Sequence, residues 1–239
     1  MQFTKKIVFA LAALSLTAAG YSQSTNKWES SAGLGLTLTR GNSDTLLFTA
    51  DAQTAKKYTS DELSFGASIS YGEQNDIKNN EAAKAYGQWN HLFSKRFYGY
   101  LRAEGLHDAI ADVEYRVTLS PGAGYYFIKE TNMTLSAEAG PAVVFEKQGG
   151  VEKTYLTARA AEKFEYKFND RARIWQMAEF LPQIDNLDNY VINAELGVEA
   201  SLTKRTALRA VLQDTFDNQP APGRKKNDLK LVTSVVLKF

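Results

Sequence analysis

The chain has 239 residues, a formal net charge of +1 and no cysteine. The balanced charge argues against bulk electrostatic attraction to nucleic acid. The lack of cysteine excludes disulfides, lipoprotein anchoring, thiolate catalysis and cysteine metal sites. A negative mean hydropathy argues against a bundle of membrane-spanning helices. The length suits one ordinary domain or one barrel.

The N-terminal segment has the layout of an export signal. Two lysines precede an apolar run over residues 7–19, and small residues at 18–20 mark its end. The run is shorter than the roughly 20 residues that a spanning helix needs, so this layout predicts a secretory signal peptide over 1–23. An uncleaved anchor is the alternative. Residues 24–239 are predicted to form one outer-membrane β-barrel.

From there to the C-terminus, polar and apolar residues alternate in runs that break at turns. In "YVINAELGVEASL", Leu196 shares one face with the apolar residues at every second position, and Glu195 lies on the other face. A period of two residues predicts β-strands rather than helices. The predicted strands are 27–40, 45–58, 62–71, 82–93, 97–105, 113–127, 132–146, 153–166, 172–180, 190–202, 206–216 and 228–239.

These runs predict an all-β fold, a closed antiparallel transmembrane β-barrel of about 12 strands. An even strand number places both chain ends on the same side, and alternating connection lengths are typical of short periplasmic turns and longer external loops. Short connections are predicted near 59–61, 94–96, 128–131, 167–171 and 203–205, and longer ones near 72–81, 106–112, 147–152, 181–189 and 217–227. The first external connection, "GNSD", is an exception because it is as short as a periplasmic turn.

Alternation alone does not decide which face is inside, because a soluble barrel points its apolar face inward. Three features favour an apolar face toward lipid. The strands reach the 9–11 residues or so that a tilted span needs, the polar face is rich in Gly, Ser and Thr, and aromatic residues concentrate beside the short turns, as in an interfacial girdle. The girdle is predicted to contain Trp28, Tyr58, Phe93, Phe97, Phe127, Phe164, Tyr166 and Phe239. Ordinary core aromatics at strand ends are the alternative.

The polar face carries charges of both signs, which a barrel of this size would point into its lumen. The residues predicted to line the lumen are Arg102, Glu104, Arg116, Glu138, Arg159, Glu195, Glu199 and Arg209. Mixed charge is compatible with a narrow, weakly selective channel or with a salt-bridged plug.

Two stretches do not fit the pattern cleanly. In "RARIWQMAEF", either Trp175 and Met177 face the lumen beside Arg173, or the charged residues face lipid. Glu162 falls on the lipid face of the eighth strand, and a bulge near residues 160–161 is the predicted explanation.

The last eleven residues, "LKLVTSVVLKF", end on Phe239 with apolar residues at every second position before it. This tail resembles the recognition signal that assembly machinery reads in outer-membrane barrels. The chain as a whole is similar to the salt-induced outer membrane protein family, also called domain-of-unknown-function family 481. The resemblance rests on "LTRGNSDT", "HDAIADVEYR", "LSPGAGYYF", "AEAGPAVVFE" and "PAPGRKKNDLKLVTSVVLKF", in that order. It implies an outer-membrane barrel without an established activity, and it brings no catalytic residues.

No stretch of the sequence predicts an enzyme, a cofactor or a metal site. His91 lies near a short turn without a serine on the outward faces of the neighbouring strands, and His107 lies in an acidic external loop without fixed ligand spacing. The function expected is a narrow diffusion channel for ions or small solutes in the outer membrane of a Gram-negative bacterium. A closed structural or surface-interaction barrel is the alternative, and an outer-membrane enzyme is a distant third. The partners expected are outer-membrane lipid and the barrel assembly machinery, not nucleic acid.

Overall fold

A computed structural model describes residues 27–39 and 45–239 of the chain. The predicted signal peptide and the "GNSD" connection lie outside the described residues. The strands are β1 (Glu29–Thr39), β2 (Thr45–Lys57), β3 (Asp61–Gln74), β4 (Ile77–Leu92), β5 (Phe97–Asp108), β6 (Val113–Lys129), β7 (Met133–Gln148), β8 (Val151–Asn169), β9 (Ala172–Pro182), β10 (Tyr190–Ser201), β11 (Thr206–Asp217) and β12 (Asn227–Lys238).

The strands form one closed antiparallel barrel in which each pairs with its neighbours in sequence and β1 pairs with β12. The closing register runs from Ser31 opposite Lys238 to Leu34 opposite Val235. The prediction of a closed antiparallel barrel with 12 strands is therefore confirmed. In the part of the chain that the structure describes, no helix is long and apolar enough to cross a membrane.

Two connections on the side opposite the chain ends are much shorter than predicted. Asn75 and Asp76 have φ of 51° and 60°, and Gly149 and Gly150 have φ of 58° and 73°. Two successive positive φ values make the type I′ turn that joins paired strands directly. The prediction of longer connections near 72–81 and 147–152 is wrong because the flanking residues continue the strands up to these turns.

The outward face carries large apolar side chains, and many of them are exposed. Leu36 is 64% exposed, Ile69 53% and Leu231 62%, whereas the inward-facing Tyr98 and Val236 are almost fully buried. An apolar exterior around a partly polar interior is the reverse of a soluble barrel.

The structure shows which way the side chains point in both stretches that did not fit the sequence pattern. In β9, Arg173, Trp175 and Met177 share the inward face, since Trp175 lies against Gly197 and donates a hydrogen bond to inward-facing Glu195. The bulge predicted near residues 160–161 is wrong, because β8 pairs without interruption there with both β7 and β9. Glu162 therefore points outward in an unbroken strand.

Candidate functional site

The interior of the barrel is identified by contacts between strands that are not neighbours in the sheet. The Arg116 guanidinium on β6 lies 3.3 Å from the Asp217 carboxylate on β11. The Gln88 amide on β4 donates to the Glu138 carboxylate on β7 over 2.7 Å. These side chains reach each other only across the lumen, so the lumen is lined and partly crossed by polar groups.

Glu199 is the centre of the most highly connected group of charges, here called the Glu199 cluster. Its carboxylate lies 3.2 Å from Arg173, 2.9 Å from Arg209 and 2.8 Å from Lys238. Arg209 also contacts Asp51 at 2.9 Å. The acid is almost fully buried, and its three cations supply the compensation that a buried charge needs.

Arg159 is the centre of a second group, here called the Arg159 cluster. Its guanidinium lies 2.6 Å from Glu179 and 2.8 Å from Glu138. Glu138 also accepts a hydrogen bond from the Tyr98 hydroxyl at 3.1 Å. Arg159 is only 5% exposed, which shows that the lumen is narrow at this level.

A small cavity separates the Arg159 cluster from a facing group. In that group Arg102 contacts Glu104 at 2.6 Å, and Lys84 contacts the same carboxylate at 2.9 Å. The cavity between Arg102 and Arg159 has a volume of about 10 Å³. A space of this size holds about one water molecule.

Glu195 differs from the other acids predicted to line the lumen, because its hydrogen bonds come from neutral donors. The Trp175 indole N–H donates to its carboxylate over 2.7 Å, and the Gln213 amide donates over 3.1 Å. Gly197 allows this arrangement, since a Cβ there would overlap the indole ring. The sequence left this partner open, because a lumen-facing Trp175 was only one of the two arrangements it allowed for β9.

Arg116 belongs to the polar lining of the lumen at the end of the barrel away from the chain termini. It lies 2.7 Å from Glu146, in addition to its contact with Asp217. Nearby, Lys230 on β12 lies 3.6 Å from Asp108 on β5, again across the lumen. Side chains from opposite walls therefore meet at this end as well.

The two histidines lie outside these groups. The His91 imidazole lies 3.0 Å from the Asp61 carboxylate, which also accepts a hydrogen bond from Trp89. His107 Nδ1 lies 2.8 Å from the backbone oxygen of Glu114. Among the described residues, no group of three His, Cys, Asp or Glu side chains could hold a metal ion.

Phe239 ends the chain at the seam between β1 and β12. Its backbone exchanges two hydrogen bonds with Ser30, at 3.2 and 3.0 Å. The side chain is 61% exposed, on the outward side of the barrel. A role as an assembly signal remains a prediction.

Comparison with known proteins places the chain among outer-membrane barrels in fold. The NanC porin structure matches with a TM-score of 0.50 and 7% identity, over 88% of this chain and 97% of that chain. The COG4313 outer membrane channel from Pseudomonas putida F1 matches with a TM-score of 0.52 and 9% identity, over 91% and 97%. No curated protein sequence matches the chain. The family model described as "Protein of unknown function, DUF481" matches residues 32–239, and the chain therefore belongs to this family.

Proposed function

We propose that the protein is a narrow outer-membrane channel for small ions. The observation that carries the proposal is the inverted polarity of the barrel, with paired charges inside and exposed apolar side chains such as Leu36 and Leu231 outside. An interior of this kind offers ions polar contacts along their path, and such an exterior suits lipid.

The lumen geometry limits the solute that could pass. The Arg159 cluster and the Arg102–Glu104 pair face each other across a cavity of about 10 Å³. A single water molecule or a small ion without its hydration shell fits such a space, and a hydrated ion would have to displace side chains. Balanced, paired charge favours weak selectivity, because each fixed charge is largely offset by its partner.

A closed barrel is the second candidate, and the cross-lumen contacts favour it. The contact of Arg116 with Asp217 and the deep burial of Arg159 are also what a permanent salt-bridged plug would require. An enzyme is a weaker candidate, since the hydrogen-bond partner of His91 is Asp61 and not a serine.

Ion flux tests the channel directly. Purified protein is refolded into vesicles that contain either an ion-sensitive dye or a trapped trisaccharide. A narrow channel releases the ion gradient within the experiment and retains the sugar. Vesicles that keep both the ion gradient and the sugar would support the closed barrel. Vesicles that lose both would support a wide pore.

The cellular location is tested separately. We propose that the folded chain lies in the outer membrane of a Gram-negative bacterium, with lipid as its solvent and with Phe239 read by the assembly machinery. Fractionation is expected to recover it in the outer membrane, with a mobility on detergent gels that changes on heating. Recovery as a soluble periplasmic protein would contradict the proposed location.

A further inference from the structure

Glu162 and Gln176 are polar side chains on the outward face of the barrel, where the proposed location puts lipid. Glu162 on β8 pairs in register with Ala137 and Ala178, and Gln176 on β9 pairs with Phe164. Both polar side chains are partly exposed. Neither has a hydrogen bond or ion pair with any other residue that the structure describes.

Glu162 lies above the ring of aromatic side chains at the short-turn end of the barrel. Tyr166 and Phe168 follow it on the same face of β8 and form an aromatic contact beside the turn. At about 3.3 Å per residue and a tilt of about 40°, Glu162 stands about 10 Å from Tyr166 along the barrel axis. A carboxylate at this depth in hydrocarbon is costly unless it has a partner.

The depth of Gln176 follows from the register. A row of outward residues runs through Tyr125, Ala137, Glu162, Ala178 and Ala194. Tyr125 is close to the short-turn end of β6 at Lys129, whereas Ala194 is far from the same end of β10 at Ser201. The row therefore rises away from the short turns as it passes from β6 to β10.

The path from Glu162 to Gln176 has two parts, a rise from Glu162 to Ala178 along the row and a descent from Ala178 to Gln176 along β9, and their changes in depth nearly cancel. One step from Glu162 to Ala178 rises by about 3 Å, and two residues back to Gln176 descend by about 5 Å, given a strand spacing of about 4.8 Å and the same tilt. Glu162 and Gln176 thus lie at nearly the same depth, about 8 Å apart around the barrel.

We propose that this face binds a second copy of the chain through a two-fold axis along the membrane normal. Such an axis keeps the depth of every residue and exchanges the two sides of the contact. A residue on one side of the axis therefore meets the residue of the other copy that lies at the same depth on the opposite side. The Glu162 carboxylate of each copy then accepts a hydrogen bond from the Gln176 amide of the other. A charge-assisted bond of this kind satisfies both groups. Lipid phosphates do not fit as the partner, because they repel a carboxylate.

Small side chains surround the proposed contact and allow the two barrels to approach closely. The outward alanines of this face are Ala137, Ala139, Ala158, Ala160 and Ala178. Ala178 and Phe164 stand midway between the two polar residues, so each faces its own copy across the axis. The contact is thus specified at four positions.

The inference rests on the proposed membrane location, and its test distinguishes failure of the dimer from failure of the membrane location. Sedimentation equilibrium in density-matched micelles measures the monomer–dimer constant, and the gel mobility shift on heating reports folding. Gln176→Glu sets two carboxylates against each other and is expected to weaken dimerisation about tenfold or more. The double variant Glu162→Gln with Gln176→Glu restores the reciprocal pair and is expected to recover the dimer. Thr233→Leu, on the outward face of β12, is the control and should leave it unchanged.

Disulfide trapping gives a second readout, since the natural chain contains no cysteine. In vesicles, Ala178→Cys is expected to form a disulfide-linked dimer on oxidation, and Ala67→Cys on β3 is not. A folded, inserted barrel that sediments as a monomer, or that gives no link through residue 178, would overturn the dimer. A dimer unaffected by Gln176→Glu would overturn the Glu162–Gln176 contact. A chain that does not insert as a folded barrel would refute the proposed location instead.

Discussion

The Arg209 guanidinium on β11 lies 2.9 Å from the Asp51 carboxylate on β2, although β12 and β1 separate these strands in the sheet. The pair therefore spans the closing seam of the barrel from inside. At that seam β1 pairs with β12 over residues 31–34 and 235–238, and the backbone hydrogen bonds between Ser30 and Phe239 extend this pairing. Through its second contact, with Glu199, Arg209 also connects the seam to the Glu199 cluster.

Removal of Arg209 is expected to destabilise the barrel. Arg209→Met leaves Asp51 without its cation and Glu199 with one cation fewer, and loss of one partner of a buried pair costs about 3–5 kcal/mol. Denaturant titration of folding into vesicles measures the change. Lys163→Met is the matched control, because Lys163 is exposed and has no ion-pair partner among the described residues. Equal losses in the two variants would show that the seam contact contributes little.

The assignment of faces is tested on two adjacent residues of β10. Leu196 is 46% exposed on the outward face, whereas Glu195 points inward to Trp175. Leu196→Arg is expected to cost about 2–4 kcal/mol, the range for arginine at the midplane of a lipid-facing surface. Glu195→Arg enters a polar lumen and is expected to cost less. Refolding titrations measure both, and the reverse order would mean that the outward face does not lie in lipid.

The packing of Trp175 on Gly197 gives a steric prediction. A Cβ at Gly197 would overlap the indole ring, so Gly197→Ala displaces Trp175 from Glu195 and is expected to cost about 1–3 kcal/mol. Gly105→Ala is the control, because no atom lies within 4 Å of the position that its Cβ would occupy. Unfolding titrations of both variants give the comparison. A neutral Gly197→Ala would show that the indole is held elsewhere.

Most of the architecture could be predicted from the sequence because the two-residue period of each strand is a local and repeated signal, and an even number of such strands implies a closed barrel. The two tight turns were missed, since their flanking residues, such as Lys78 and Val151, do not alternate cleanly. The residue pairs Asn75–Asp76 and Gly149–Gly150 could have predicted the turns, because Asn, Asp and Gly readily adopt the positive φ values of a type I′ turn.

The pairing of the interior charges could not be predicted in the same way. Alternation assigns a residue to a face, but it does not say which wall lies opposite. The contact of Arg116 with Asp217 depends on barrel diameter and stagger, which involve all strands together. Outward-pointing Glu162 was identified from the pattern, and only the explanation by a bulge was wrong.

Ion selectivity is expected to depend on Glu195 because its carboxylate is bonded by neutral donors and keeps an uncompensated charge. Glu195→Gln should shift the reversal potential under a salt gradient toward anions. The shift should shrink as the screening length falls from about 10 Å at 0.1 M salt to about 3 Å at 1 M. Glu114→Gln, which removes an acid paired with Lys147 near the outer rim, is the control. A shift of equal size in the control would place the selective charge outside the lumen.

The central claim is that the ion-paired lumen still conducts, and single-channel recording across a planar bilayer tests it most directly. Gln88→Ala is the informative variant, because it removes the cross-lumen bond to Glu138 without changing any charge. The native protein is expected to carry a small, steady current, and Gln88→Ala a larger one at the same reversal potential. Folded, inserted protein that carries no current in either form would contradict the channel and leave the closed barrel.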